Sequence, residues 1–266
     1  MKRVLPAHIT IWAFAFVAGP SVLANEHGVD EKDGLGGMPS LVLHYTFDRH
    51  RMVGIEPDVS DHGNHARIHG ATQLREGIIG GAMEFDGEDD FLDCGNNKSI
   101  NFDDGDFTIA LWFKTPLKEE LPSSYNPFIN KGAAGSLRPS RPGYGLYATR
   151  EHGKAILRWD FGQRSHQARA RVITDNWESD CWNHMVLVRR GHAIEAWLNG
   201  KRVMDQVQKA KSQATVSGPE RLLIGKVVTN RGTINLFQGV LDDVRIYDGA
   251  LSAEAIGLLA AMGDSE

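Results

Sequence analysis

Three groups of residues in this 266-residue chain have the types and spacing to do chemistry. Glu84-Phe85-Asp86-Gly87-Glu88 sets three carboxylates two residues apart. On a continuous strand, residues i, i+2 and i+4 face the same way. Such a row could supply a nucleophile, an orienting group and an acid for glycoside cleavage. Asp86-Gly87 is also a turn signal, and a turn there takes Glu88 off the row. The second group lies near the end, where Phe237 to Tyr247 reads as a strand with apolar groups on both faces. Val240, Asp242, Val244 and Ile246 share one face, and Leu241, Asp243, Arg245 and Tyr247 the other. That pattern makes the strand central and surrounds Asp242 with branched aliphatics. A buried carboxylate has to be paired, hydrogen-bonded or bound to a metal. The third group is aromatic. Tyr125, Tyr144, Tyr147, Trp159 and Trp177 offer flat faces that suit either a sugar ring or a core. Tyr144 and Tyr147 directly follow a Pro-rich stretch and are the ligand-binding candidates. Among eleven histidines there is no His-x-x-x-His on a helix, and Gly-x-Ser-x-Gly is absent, so no nucleophilic triad is read.

These groups need a scaffold, and the alternation of apolar residues supplies strands. Leu41 to Phe47, Met83 to Phe85, Phe107 to Phe113, Tyr144 to Thr149, Ala155 to Phe161, Trp182 to Arg189, Ala193 to Leu198 and Leu222 to Ile224 all read as strands. Asn199-Gly200 is the strongest hairpin turn. Residues 116–143 hold five prolines and read as a long irregular insertion. Ser252 is a good N-cap for a short helix from Ala253 to Leu259. Many short strands with regular turns and one terminal helix predict an all-β antiparallel sandwich of the jelly-roll type.

The beginning of the chain reads as an export signal. Lys2 and Arg3 precede an apolar run from Ile9 to Val17, and Val22-Leu23-Ala24 resembles a small-residue cleavage site. Residues 1–24 are therefore expected to be a signal peptide, residues 25–40 a flexible linker and residues 41–262 the folded domain. The mature chain is expected to be secreted, or periplasmic and held in the cell envelope, with no membrane span. A formal charge of −5 gives no general attraction to nucleic acid. In an oxidising compartment Cys94 and Cys181 are expected to form one disulfide, with two free thiols as the alternative.

Gly239-Val-Leu-Asp-Asp-Val-Arg-Ile-Tyr-Asp-Gly-Ala-Leu-Ser252 resembles the closing strand of laminin-G-like/pentraxin-like jelly rolls in the concanavalin A-like lectin/glucanase superfamily. The resemblance extends to Leu43 to Asp48, to the loop Asp58 to Ala66, and to the hairpin Met83 to Leu92. It continues through Asp106 to Lys114 and the pair Trp182 to Val188 and Trp197 to Gly200. It implies the fold, which serves many functions. It also implies a structural calcium at motif positions that carry the oxygen-bearing residues Asp48, Asp58, Asn64 and Asp242, with Asp48, Asn64 and Asp242 as the expected ligands. Asp61, His62 and Ala66 depart from the family's loop pattern. The Glu84 to Glu88 spacing matches laminarinase-like β-glucanases of the same superfamily. The expected function is an exported, non-catalytic binding or adhesion module with an extracellular glycan or protein as its partner. The alternatives are a glycan-cleaving enzyme on the same fold and a structural envelope protein.

Overall fold

The structure, a computed structural model, describes residues 38–48, 52–116, 125–132, 142–152, 154–162, 168–172, 177–203, 215–229 and 232–264. The expected leader and residues 25–37 of the expected linker lie outside these. In chain order the strands are β1 Ser40–Tyr45, β2 Ile55–Glu56, β3 Ala66–His69, β4 Thr72–Leu74, β5 Ala82–Asp86, β6 Phe91–Asp93, β7 Phe107–Lys114, β8 Asn126–Lys131 and β9 Gly143–Glu151. They continue as β10 Lys154–Gly162, β11 Ala168–Val172, β12 Asn183–Arg190, β13 Ala193–Leu198, β14 Lys201–Arg202, β15 Leu222–Ile224, β16 Lys226–Val228, β17 Ile234–Leu236 and β18 Gln238–Asp248. The helix α1, Ala253–Ala261, closes the chain, and the Ser252 hydroxyl accepts from Ala255 N as its cap.

All the pairings between these strands are antiparallel. One sheet runs β14-β13-β12-β7-β18-β5-β4, with β1 added on β18. The other runs β11-β10-β9-β8-β15-β6-β3-β2, and β16 and β17 form a separate ribbon. The inner faces enclose the core. Leu111, Phe113, Met185, Leu187, Leu241 and Val244 come from the first sheet, and Phe128, Leu146, Leu157 and Trp159 from the second. Each such side chain contributes about 1.5–3 kcal/mol by leaving water. A smaller cluster lies on the outer face of the first sheet, where Ile256 and Leu259 of α1 cover Ala110, Val186, Val188 and Tyr247. This is the expected all-β antiparallel sandwich with a C-terminal helix.

The closing strand β18 is central, as its two apolar faces require. Its first half pairs with β5, its second half with β1, and β7 runs along both halves. The strict alternation expected along it does not hold. A bulge between Asp242 and Arg245 shifts the register, and Asp243 has φ +47. The extra residue flips the phase, so Leu241 and Val244 both enter the core although three positions apart.

The Pro-rich stretch is also not one insertion. Asn126–Lys131 is an internal strand between β9 and β15, with all six residues buried. Pro127 is accommodated because the register shifts between Pro127 and Ile129, a bulge that needs no ladder donor at the proline. Asn199 (φ +49) and Gly200 (φ +71) form the expected tight turn between β13 and β14.

Candidate functional site

Across the outer face of the first sheet, four residues on four strands stand in a row. Thr72 pairs with Glu84, Glu84 with Val240, and Val240 with Lys114. Their chain neighbours Met83, Leu241 and Phe113 point the other way, into the core, so pleating sends this row to solvent. The row floors a groove of about 680 Å³. One wall is the hairpin from Asp86 to Asp90; Gln238 and Asp180 close the rest. Lys114 Nζ sits 3.6 Å from Asp180 Oδ1. The groove thus presents Glu84, Asp86, Asp89, Asp90 and Asp180 against one lysine, a strongly negative field.

The carboxylates of the hairpin are engaged with their own turn. Asp86 Oδ1 accepts from Glu88 N at 2.8 Å and from Asp89 N at 3.3 Å, and Asp90 Oδ2 accepts from Asp86 N at 2.9 Å. The bond from Glu88 N holds the Asp86 carboxyl below its usual range. Burial pushes Asp90 up, and the charges of Asp86 and Asp89 add to this. Gly87, at φ +83, turns the chain between Asp86 and Glu88. Glu84 and Asp86 therefore share a face, while Glu88 leaves it. The three-carboxylate row expected from spacing is broken by the turn. One oxygen each of Asp86, Asp89 and Asp90 lies within 4.8 Å of the others, close enough for a divalent cation to bridge.

The sequence-derived metal residues divide between two places. Asp242 is fully buried beside the glycine-rich loop 77–81. Its Oδ2 accepts from Ile78 N and Ile79 N at 2.9 Å each, and its Oδ1 from Asp243 N at 2.6 Å. Gly77 has to be glycine here, because a Cβ on it would fall 2.5 Å from Asp242 Oδ2 and 2.2 Å from Gly81 O. Asp48 approaches the same loop, with Oδ1 accepting from Gly81 N at 2.9 Å. Asn64 is engaged elsewhere. Its side-chain amide donates to Val42 O and to Ser99 Oγ, its backbone carbonyl accepts from the Tyr45 hydroxyl, and its backbone N–H donates to Asp58 Oδ2. Asp58 also takes His44 N and Ser60 N, so Asn64 and Asp58 tie a loop together and stand apart from the Asp242 site.

Sequence reading missed Glu56, on the two-residue strand β2. It is 1% exposed, and its Oε1 accepts from Phe47 N at 3.1 Å. Burial pushes its carboxyl up to about 8, against the pull of that bond, and the charges of Asp48 and Asp242 raise it further. Asp242 is pushed up to about 7, again chiefly by burial. The charges of Glu56, Asp48 and Asp242 thus act on one another, but among the described residues only Asp86, Asp89 and Asp90 bring three carboxylate oxygens within 4.8 Å of one another. No periodicity marks Glu56, because a two-residue strand has none.

The two candidate tyrosines do not present faces to a ligand. Tyr144 is buried in the core against Phe102 and Phe107, and its hydroxyl donates to Ile100 O at 3.1 Å. Tyr147 is buried on the other side of the sheet, with its hydroxyl on Asn130 Oδ1 at 2.8 Å and Tyr125 edge-on at 5.0 Å. Both lie on an interior strand, where rings of this size fill space, and their hydroxyls find partners. Trp159 and Trp177 are buried as well. Cys94 and Cys181 are not paired: Cys94 is buried in the core after β6, whereas Cys181 is exposed in the turn before β12.

Residues 86–257 match the laminin-G-like family model described as the concanavalin A-like lectin/glucanases superfamily. Three solved structures share the fold. The binding domain of Paraclostridial Mosquitocidal Protein 1 superposes with a TM-score of 0.63 at 16% identity, covering 83% of this chain and 52% of that one. Domain 4 of AbnA, a GH43 extracellular arabinanase from Geobacillus stearothermophilus in complex with arabinotriose, gives 0.60 at 18%, covering 84% and 99%. The botulinum neurotoxin serotype D ligand binding domain, in complex with N-acetylneuraminic acid, gives 0.62 at 15%, covering 83% and 50%. This chain spans about half the length of the toxin domains it matches.

Proposed function

The chain belongs to the laminin-G-like family of the concanavalin A-like lectin/glucanases superfamily, and from that premise we propose that it is a non-catalytic carbohydrate-binding module acting outside the cytoplasm. The observation that carries the reading is the groove on the outer face of the first sheet. Glu84, Asp86 and Asp89 can accept from sugar hydroxyls and Lys114 can donate to them, in a hollow of about 680 Å³. The domains of similar fold include one solved with arabinotriose and one with N-acetylneuraminic acid, which supports a sugar as ligand. Binding is favoured over cleavage because the turn at Gly87 takes Glu88 out of line with Glu84 and Asp86, so the strand does not present the row of three carboxylates that its spacing suggests for glycoside hydrolysis.

A glycan array of the purified protein tests this. At least one class of glycan is retained, and no new reducing ends form on incubation. Glu84→Gln and Lys114→Met should each weaken retention by about 1.5–3 kcal/mol, the scale of one charge-assisted hydrogen bond, with unchanged melting curves. Retention indifferent to both changes, an array with no hits, or steady release of reducing ends overturns the reading.

We also propose a structural calcium beside the 77–81 loop. Asp48 and Asp242, which both hold backbone N–H groups of that loop, are its proposed ligands. Its role is to fix this loop against β18.

A further inference from the structure

Lys114 lines the groove, and two residues back on the same face of β7 Trp112 lines a second cavity, of about 540 Å³. The same step is repeated in the turn before β12, where Asp180 borders the groove and Trp182 the cavity. The two hollows therefore adjoin along one face of the sheet. Trp182 is half-buried. Trp112 is 6% exposed, and its Nε1 has no hydrogen-bond partner. The His184 ring lies 4.9 Å from the Trp112 ring and its Nδ1 is likewise without one. Both nitrogens are closed to solvent, so Trp112 lines the cavity with ring carbons rather than with its N–H. The far wall is α1, where a Cβ built on Gly257 would meet nothing within 4 Å. Lys201 stands at the rim, and no carboxylate lines the cavity.

We propose that this aromatic cavity is a second sugar subsite continuous with the groove, so that the protein holds a neutral oligosaccharide chain rather than a single ring. The inference rests on the reading of the groove as a carbohydrate site. A pyranose or furanose ring has an apolar face for Trp182 and ether and hydroxyl oxygens to accept from Lys201 at the rim. The groove's carboxylates repel an anionic sugar in the first subsite, which sets the chain as neutral.

The test is calorimetric titration with maltotriose, cellotriose and arabinotriose and with glucose and arabinose, alongside tryptophan emission. At least one trisaccharide should bind about tenfold or more tightly than its monosaccharide and shift the emission. Trp182→Ala should abolish that length advantage. Gly257→Leu, which fills the cavity from the helix and leaves both indoles and every groove residue in place, should do the same; melting curves confirm both variants folded. A trisaccharide that binds both variants as it binds the parent, or no tighter than its monosaccharide, overturns the subsite and leaves the groove reading standing. Failure of all five sugars and of the wider array overturns both.

Discussion

His184 should make the fold acid-sensitive in a defined window. The residue is 1% exposed on β12, its ring tilted against that of Trp112. Burial pulls its pKa down from 6.5 to about 4; the nearby Asp243 charge opposes this and Arg245 adds to it. A histidine depressed in the folded state takes its proton more readily when unfolded. Its stabilising effect is therefore complete above the unfolded pKa and is lost as pH falls from about 6.5 toward 4. At pH 5 the unfolded imidazole is almost fully protonated and the folded one about a tenth so, which corresponds to about 2 kcal/mol. Below pH 4 the loss levels off near 3 kcal/mol. His184→Gln removes the titration and keeps the backbone bond from residue 184 N to Asn199 Oδ1. Urea denaturation at pH 7.5 and pH 5 should show the parent losing about 2 kcal/mol more than the variant between the two values. The carboxylates titrate in both proteins and drop out of the difference. Equal losses in parent and variant would falsify the reasoning, because they mean that the folded protein protonates His184 as easily as the unfolded chain does.

The proposed calcium predicts a melting temperature that falls in EDTA and recovers with calcium, by about 2.7 kcal/mol of stability at a hundredfold excess over Kd. Asp48→Asn, at an exposed position, should melt like the EDTA-treated parent and not respond to calcium, and an unresponsive parent removes the ion from the account. Asp242→Ala should cost about 3 kcal/mol or more even in EDTA, since three backbone N–H groups lose their acceptor; a variant within 1 kcal/mol of the parent contradicts that. Thiol labelling should modify Cys181 in the native protein, and Cys94 only after denaturation; protection of both before reduction would mean that they are joined. Mass spectrometry of exported material should find a chain starting near Asn25, and an intact Met1 there would remove the leader.

Much of the scaffold is written in local chemistry. Alternating residues from Phe107 to Phe113 and from Ala193 to Leu198 specify strands, Asn199-Gly200 specifies a hairpin turn, and Ser252 specifies the start of α1. Each of these depends on contacts within a few residues, so the sequence is enough. The demand that Asp242 be satisfied is equally legible, because any buried carboxylate carries it. What answers that demand is not, since the donors Ile78 N and Ile79 N come from more than 160 residues away. The same limit hides the groove, whose floor exists only once β4, β5, β18 and β7 take their registers. It hides the adjoining cavity, which needs α1 folded back over the sheet, and it hides the fate of Tyr144, Tyr147 and the two cysteines. A period of two tells which residues share a face but not which face meets the core, and one bulge residue, as at Asp243, reverses the answer for the rest of the strand. Sequence by itself thus determined the strands, turns and helix cap of this protein. Pairing between distant strands decided which side chains meet, because register is fixed by the partners a strand finds across the sheet.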